Sequence, residues 1–375
     1  MKLSICIVSH NGYGAISGGN GGFVGGVERQ TSLLARWLAE RGHQVSFLTW
    51  DEGGSAEEMI NGVQVIKICK KDAGLPGLRF FHPKWTGLCG ALRKADADVY
   101  YHNCGECVTG QIAMWCRRNE RSFVFSAASE ADCDPTFPEL SSRRERWLYL
   151  HGLRQADQVI VQTRAQQSMM VKNFQVSAVV IPMSAPGPSE EAYQMPSQSA
   201  CRVLWIGRVC KVKRPDRLVE IARACPQIEF DVAGPVYDDE FSRRAAAEAA
   251  TLGNVTMHGS VSRANIPELY RNASLLCCTS DYEGFPNTFL EAWSHGLPVV
   301  STVDPDGVIV RENLGRVASD GEALAASIRS LLEDPVDYAA SSEAACSYFL
   351  QHHAIEAVMP QFEVVFASLP RAENR

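Results

Sequence analysis

The stretch DYEGFPNTFLEAW, residues 281–293, sets two carboxylates, Glu283 and Glu291, on either side of a helix breaker, Gly284-Phe285-Pro286. Carboxylates only accept hydrogen bonds, so a pair of them suits a ligand rich in hydroxyls. A helix that starts beyond the breaker, near Asn287 or Thr288, leaves its first N–H groups available to an anion. Thr288 and Glu291 also have capping-box spacing, which would occupy Glu291 in capping instead. A second set, GRVCKVKRP, places Arg208 directly after an apolar run and Lys213 five residues on. Arg is fixed in charge and shaped for phosphate oxygens; a pair of solvated charges before a helix is the plainer reading. The third set, GGNGGFVGGVERQ, puts glycines ahead of a helix, where backbone can approach a ligand closely. It fits the dinucleotide fingerprint poorly, because Gly12 and Gly14 lack a third glycine at the required offset. Phosphate groups and hydroxyls in one ligand describe a nucleotide sugar.

Two other patterns carry less. Asp96/Asp98, Asp132/Asp134 and Asp304/Asp306 have the spacing that holds Mg²⁺ or Mn²⁺ on a diphosphate. Such pairs arise readily in an acidic chain, and the first simply precedes a strand, so no metal is expected. CGEC (Cys104, Cys107) has redox or zinc spacing, but no second pair lies at a matching interval, and small loop residues are the simpler reading.

The elements that must position these residues alternate. LSICIVS, HQVSFLTW, ADVYYHN, RSFVFSA and ADQVIVQT read as strands, and VERQTSLLARWLAERG as an intervening amphipathic helix with Gly42 as its stop. Residues 181–200 hold four Pro and four Ser and read as a linker. The alternation then restarts with RVLWIG, the helix RPDRLVEIARAC, and the strands IEFDVAG, NVTMHG, SLLCCTS and LPVVST. The expected fold is α/β, two Rossmann-like doubly wound domains in tandem. Ligands then sit at the carboxyl ends of the strands, in a cleft between the domains. The expected boundaries are 1–182, a linker at 183–200, a second domain at 201–348, and a segment from 349 to 375 that crosses back.

Hydrophobic residues make up 46% of the 375, enough for a sizeable core. The net charge is −7, split unevenly: residues 1–195 hold 20 Lys+Arg against 19 Asp+Glu, and the remainder 16 against 24. That is no nucleic-acid binder's balance, so none is expected as a partner. No apolar run is long enough to span a bilayer, the start lacks signal-peptide character, and 13 scattered Cys read as reduced thiols. A cytoplasmic protein is expected.

The glutamates in EGFPNTFLEA, the GR with its lysine, GGVE near the start and the tandem layout together resemble the retaining GT-B glycosyltransferases of family 4, over nearly the whole chain. That resemblance implies that Arg208 and Lys213 hold the diphosphate of a UDP- or GDP-sugar. It implies that Glu283 binds hydroxyls of the transferred sugar and Glu291 the ribose. The loop Gly284, Phe285, Pro286, Asn287 and Thr288 would contact sugar and phosphates, and Gly25 and Gly26 would approach the diphosphate from the other domain. The C-terminal segment from about Phe349 would return to the first domain. Many members carry a His after the strand matching RSFVFSA; here the chain reads Ala127-Ala128-Ser129-Glu130. That role is vacant or has passed to Glu130 or Asp132. His102 sits where the family often has a His, or it is a packed core residue.

The implied reaction moves a hexose-type sugar to an acceptor hydroxyl with retention, without metal, cofactor or side-chain nucleophile. The setting would be polysaccharide or glycolipid synthesis. Rival readings are a nucleotide-sugar epimerase and a non-enzymatic binding protein; an NAD-dependent oxidoreductase fails on glycine spacing. The acceptor would be a glycan or a lipid-linked glycan. SSRRERWLYLHGLR, residues 141–154, is either an ordinary amphipathic helix or a peripheral contact with the cytoplasmic face of the inner membrane.

Overall fold

Segments such as SICIV and SFVFS are apolar on both alternating faces, which suits strands covered by helices on either side. The computed structural model, which describes residues 2–18, 25–188, 196 and 201–370, places them so. It forms two compact units: residues 1–183 with 358–375, and residues 184–357. Most of the linker at 183–200, and residues 19–24 of the glycine-rich stretch, lie outside the described residues.

In the first unit the strands are β1 (Ser4–Val8), β2 (Gln44–Thr49), β3 (Glu57–Ile60), β4 (Val63–Lys67), β5 (Val99–Asn103), β6 (Ser122–Ser126), β7 (Gln158–Val161) and β8 (Val179–Val180). They form one sheet in the order β3-β4-β2-β1-β5-β6-β7-β8. The pairings are parallel except for β3 with β4, a hairpin that turns at Asn61-Gly62 with both φ positive. The helices are α1 (Tyr13–Ser17), α2 (Gly26–Glu40), α3 (Thr86–Ala95), α4 (Cys107–Arg118), α5 (Arg143–Gln155) and α6 (Arg164–Phe174). Cys6, Val8, Tyr100, Phe123, Phe125 and Tyr149 anchor the core. α4 and α5 approach backbone to backbone: a Cβ on Gly110 would lie 2.2 Å from the Leu148 carbonyl oxygen.

In the second unit β9 (Arg202–Ile206), β10 (Glu229–Ala233), β11 (Val255–Gly259), β12 (Leu275–Cys278), β13 (Val299–Ser301) and β14 (Gly315–Val317) form a parallel sheet, ordered β11-β10-β9-β12-β13-β14. Its helices are α7 (Pro215–Ala224), α8 (Glu240–Ala249), α9 (Ile266–Asn272), α10 (Asn287–Ser294), α11 (Val308–Arg311), α12 (Gly321–Glu333) and α13 (Pro335–His352). Val203, Trp205, Phe230, Leu275, Ile328 and Leu331 sit at the centre. Phe349 is buried in this unit, and the chain passes to the first unit later, between residues 357 and 358. There α14 (Ile355–Ser368) sets Phe362 and Phe366 against Tyr101, with ring centroids 6.0 and 5.8 Å apart. Glu363 accepts hydrogen bonds from Arg41 and His43 at 2.9 and 3.1 Å.

Each sheet reverses its strand order once, between β1 and β5 and between β9 and β12. Loops after the strands on either side of such a point diverge and leave a crevice at the carboxyl ends. Arg208 and Lys213 follow β9, and Glu283 follows β12.

Candidate active site

Arg208 is exposed on the loop leaving β9. Its backbone is fixed from below. Gly207 N–H donates to the Ala233 carbonyl at 3.0 Å, and Gly234 has φ 143°. A Cβ on Gly234 would lie 1.9 Å from the Gly207 oxygen, so only glycine lets the β10 end lie under this loop.

Lys213 ends a 3₁₀ turn (Lys211–Lys213). Three contacts hold that turn against the loop after β12. The Thr279 hydroxyl donates to the Lys213 carbonyl at 2.6 Å, and the Trp205 indole N–H donates to Thr279 Oγ1 at 2.9 Å. The Asp281 N–H donates to the Val212 carbonyl at 2.9 Å. Arg214, at φ 49°, pairs with Asp216 and Asp281 and braces the same corner. Lys213 Nζ then makes an ion pair with Glu283, whose Oε1 also accepts from the Ser280 hydroxyl at 2.6 Å. The first glutamate and the lysine, 70 residues apart, are therefore joined.

Pro286 is the residue before α10, and no side chain caps the helix. Thr288 thus lies inside the first turn and makes no capping box with Glu291. Pro286 is buried, while Gly284, Phe285, Asn287 and Thr288 are part-buried. The Glu291 carboxylate turns instead to α9 and the loop before it. The Tyr270 hydroxyl donates to Oε2 at 2.9 Å, and Arg263 Nη2 lies 3.2 Å from Oε1. This corner thus offers two cations, an uncapped helix start and two held carboxylates.

In the first unit, Gly25 precedes α2 with extended backbone and Gly26 begins the helix. His102, at the β5 carboxyl end, is fully buried, and its Nδ1 donates to the Val8 carbonyl at 3.0 Å. Burial lowers its pKa. Its Nε2 is then a bare acceptor, with no hydrogen-bond partner among the described residues. Glu130 is exposed. The Asp-x-Asp aspartates have other work. Asp96 and Asp98 pair with Arg121, Asp134 accepts from the Thr136 N–H at 2.7 Å, and Asp304 from the Ile309 N–H at 2.8 Å. Among the described residues no cluster of His, Cys, Asp and Glu could hold a metal ion. Cys104 and Cys107 are free thiols, and burial pushes Cys107 up to about 11.

The model of the glycosyl transferases group 1 matches residues 198–347, and that of the glycosyl transferase 4-like domain matches 25–187. The chain belongs to the glycosyl transferases group 1. It is 27% identical over 241 residues to a D-inositol 3-phosphate glycosyltransferase of Mycolicibacterium vanbaalenii, across 54% of this chain and 52% of the relative. It spans about half the length of that and other curated relatives. The sucrose-phosphate synthase of Thermosynechococcus elongatus superposes with a TM-score of 0.75 at 20% identity, over 98% of both chains. Anabaena Alr3699/HepE in complex with UDP-glucose superposes with 0.72 at 16%, over 98% of this chain and 100% of that one. This group 1 chain thus has the two-domain α/β fold called GT-B.

Sequence reasoning passed over His10, Trp50 and Glu106 in this glycosyltransferase-family chain. His10 follows β1, stacks on Trp50 with centroids 4.1 Å apart, and sets Nδ1 3.8 Å from Glu106 Oε2. Its Nε2 is buried and, like that of His102, has no partner among the described residues. Burial raises the Glu106 pKa, but the nearby His10 and His102 imidazoles and Lys71 more than offset this and lower it overall. The available signal was a histidine just past the first strand of a doubly wound sheet.

Asp132 proves to be a fastening. Its carboxylate accepts from the backbone N–H groups of Gly105, Ala128 and Ser129 at 2.9, 2.6 and 3.2 Å, tying the loops after β5 and β6 together. Burial pushes it up to about 6, against the pull of those donors. A raised acid binds its proton more tightly when folded. Its contribution is therefore full below the unfolded value near 4 and is lost as pH rises through about 6. The stability difference between the parent and Asp132→Asn, read by urea unfolding, should shrink by ~3 kcal/mol between these limits. A pH-independent difference would mean that the carboxyl is not perturbed.

Proposed function

We propose that this chain is a glycosyltransferase that moves a hexose-type sugar from a UDP- or GDP-sugar to an acceptor hydroxyl, retaining anomeric configuration. The observation that carries it is the Lys213–Glu283 pair at a topological switch point, beside the uncapped start of α10. One solved relative binds UDP-glucose and another UDP, which supports such a donor. Lys213 and Glu283 neutralise each other until a diphosphate draws the ammonium away. The carboxylate is then released to hydroxyls of the transferred sugar. Arg208, Lys213 and the N–H groups at Thr288 stabilise charge on the leaving phosphate, each such donor contributing ~2.7–4 kcal/mol. Glu291, turned by Tyr270 and Arg263, is set for a ribose. Gly25 and Gly26 are the first unit's candidate phosphate contact.

The leaving phosphate removes the acceptor proton, and no metal takes part, since two cations and a helix start already meet the charge. The acceptor is a glycan or lipid-linked glycan at the cytoplasmic face of a membrane, in polysaccharide or glycolipid synthesis. A thermal-shift panel of nucleotides and nucleotide sugars, with and without EDTA, tests the reading. A ligand held at 100 times its Kd raises stability by ~2.7 kcal/mol. One base and one sugar should stand out, unchanged by EDTA. No shift from any nucleotide, or a shift abolished by EDTA, would sink this reading.

A further inference from the structure

Three large apolar side chains of the first unit stand largely in water. Leu75, Leu78 and Phe81 are 70%, 62% and 54% exposed. They recur every third residue, and the turns that carry them close with Leu78 N–H donating to Leu75 O at 3.1 Å and Phe81 N–H to Leu78 O at 2.9 Å. All three belong to one short irregular segment, in which Gly77 has φ 85°. Phe81 continues into Phe80 and Trp85, with centroids 5.0 and 6.3 Å away. The Arg144 guanidinium lies 3.8 Å over the Phe80 ring, so the first turn of α5 adjoins this surface. Next along α5, Trp147 is 57% exposed, while Leu148, Tyr149 and Leu153 are buried.

Asp51, Glu52 and Asp72 lie beside Lys70 and Lys71, but the cations of this region outnumber its acids in a chain of net charge −7. Lys70, Lys71, Arg79, Arg143, Arg144 and Arg146 are all exposed. Glu145, the acid among the arginines, is engaged: its carboxylate accepts from the Ser141 and Ser142 N–H groups at 3.1 and 3.0 Å.

We propose that the turns at 75–81 and the start of α5 form a docking surface for an anionic lipid bilayer. The apolar side chains enter the headgroup boundary, and the arginines and lysines meet lipid phosphates. This deepens the reading of a lipid-linked acceptor and rests on it. An acidic protein would satisfy the cations but leave the protruding Leu and Phe unexplained. A two-fold contact with a second copy would set the same basic ring against itself.

The test is co-sedimentation with vesicles of phosphatidylcholine alone or mixed with phosphatidylglycerol. The protein should pellet with the mixed vesicles, not with the neutral ones, and less as salt rises. Leu78→Asp with Phe81→Asp should abolish pelleting. Arg143→Glu and Arg144→Glu should each weaken it by ~5-fold or more. Both sets should keep the parent's Tm and nucleotide affinity. Equal binding to neutral vesicles, no binding, or indifference to these substitutions would overturn the proposal. So would a dimer in light scattering that Leu78→Asp dissolves while vesicles are ignored. Vesicle binding that persists without any nucleotide binding would remove the donor reading and leave this surface standing. Transfer to a soluble acceptor without vesicle binding would do the reverse.

Discussion

Lys213→Ala and Arg208→Ala should each lower kcat by ~10²–10³-fold while leaving Tm within ~2 °C of the parent. The size follows from where the charges act. A preorganised cation at the leaving phosphate contributes most when negative charge has developed there, so its loss falls on turnover more than on ground-state binding. The fold should tolerate both changes, because Arg208 is exposed and the corner around Lys213 is held by main-chain contacts and by Thr279, Trp205 and Arg214. Lys213→Ala carries one further consequence. It strips Glu283 of its ion-pair partner, leaving Ser280 as a donor to that carboxylate. Lys213→Arg keeps the charge but replaces a compact ammonium with a bulkier planar fork, and should recover only part of the lost rate. Steady-state kinetics beside thermal melts checks this. A variant that loses activity only together with its melting transition would place the residue in the fold, not in the chemistry.

The second large effect separates the glutamates. Glu283→Gln should lower turnover by roughly 10–150-fold, the loss of one hydrogen bond to a charged group, while nucleoside diphosphate affinity stays within a few-fold. Glu291→Gln should weaken the nucleoside diphosphate itself by a comparable factor, and a 2′,3′-dideoxy analogue should bind parent and variant alike. The structure removes the competing account of Glu291: α10 begins after Pro286, so a cap at Thr288 is not available, and Tyr270 and Arg263 hold the carboxylate. If Glu291→Gln costs stability but no affinity, the ribose role fails.

What the sequence could show was local. Apolar runs covered on both faces marked most parallel strands, and a helix breaker followed by NTFLEAW marked the start of α10 within a residue. The hairpin of β3 and β4 was missed although Asn61-Gly62 is a strong turn signal, because its first strand, EEMI, is half polar and only partly buried. The family resemblance puts the return to the first unit at about Phe349, whereas the chain passes over between residues 357 and 358. Phe349 instead closes the core of the second unit. The remaining gaps are long-range. No spacing rule joins Lys213 to Glu283, or Glu291 to Arg263 across 28 residues. Asp132 reads in the sequence only as one of two acids to which the missing histidine's role could pass, and no spacing shows that the loops after β5 and β6 converge on its carboxylate. His10, Trp50 and Glu106 come from three separate segments, and only the parallel register of β1 with β2 and β5 gathers them.

The central claim is that a nucleoside diphosphate is held by Arg208, Lys213 and the start of α10. Calorimetric titration of UDP and of GDP into the parent and into an Arg208→Ala, Lys213→Ala double variant tests it most directly. One of the two nucleotides should bind the parent at a single site, and the double variant should bind it at least ~10-fold more weakly, with its fold intact. Equal affinity in parent and variant, or binding of neither nucleotide to the parent, would contradict the account.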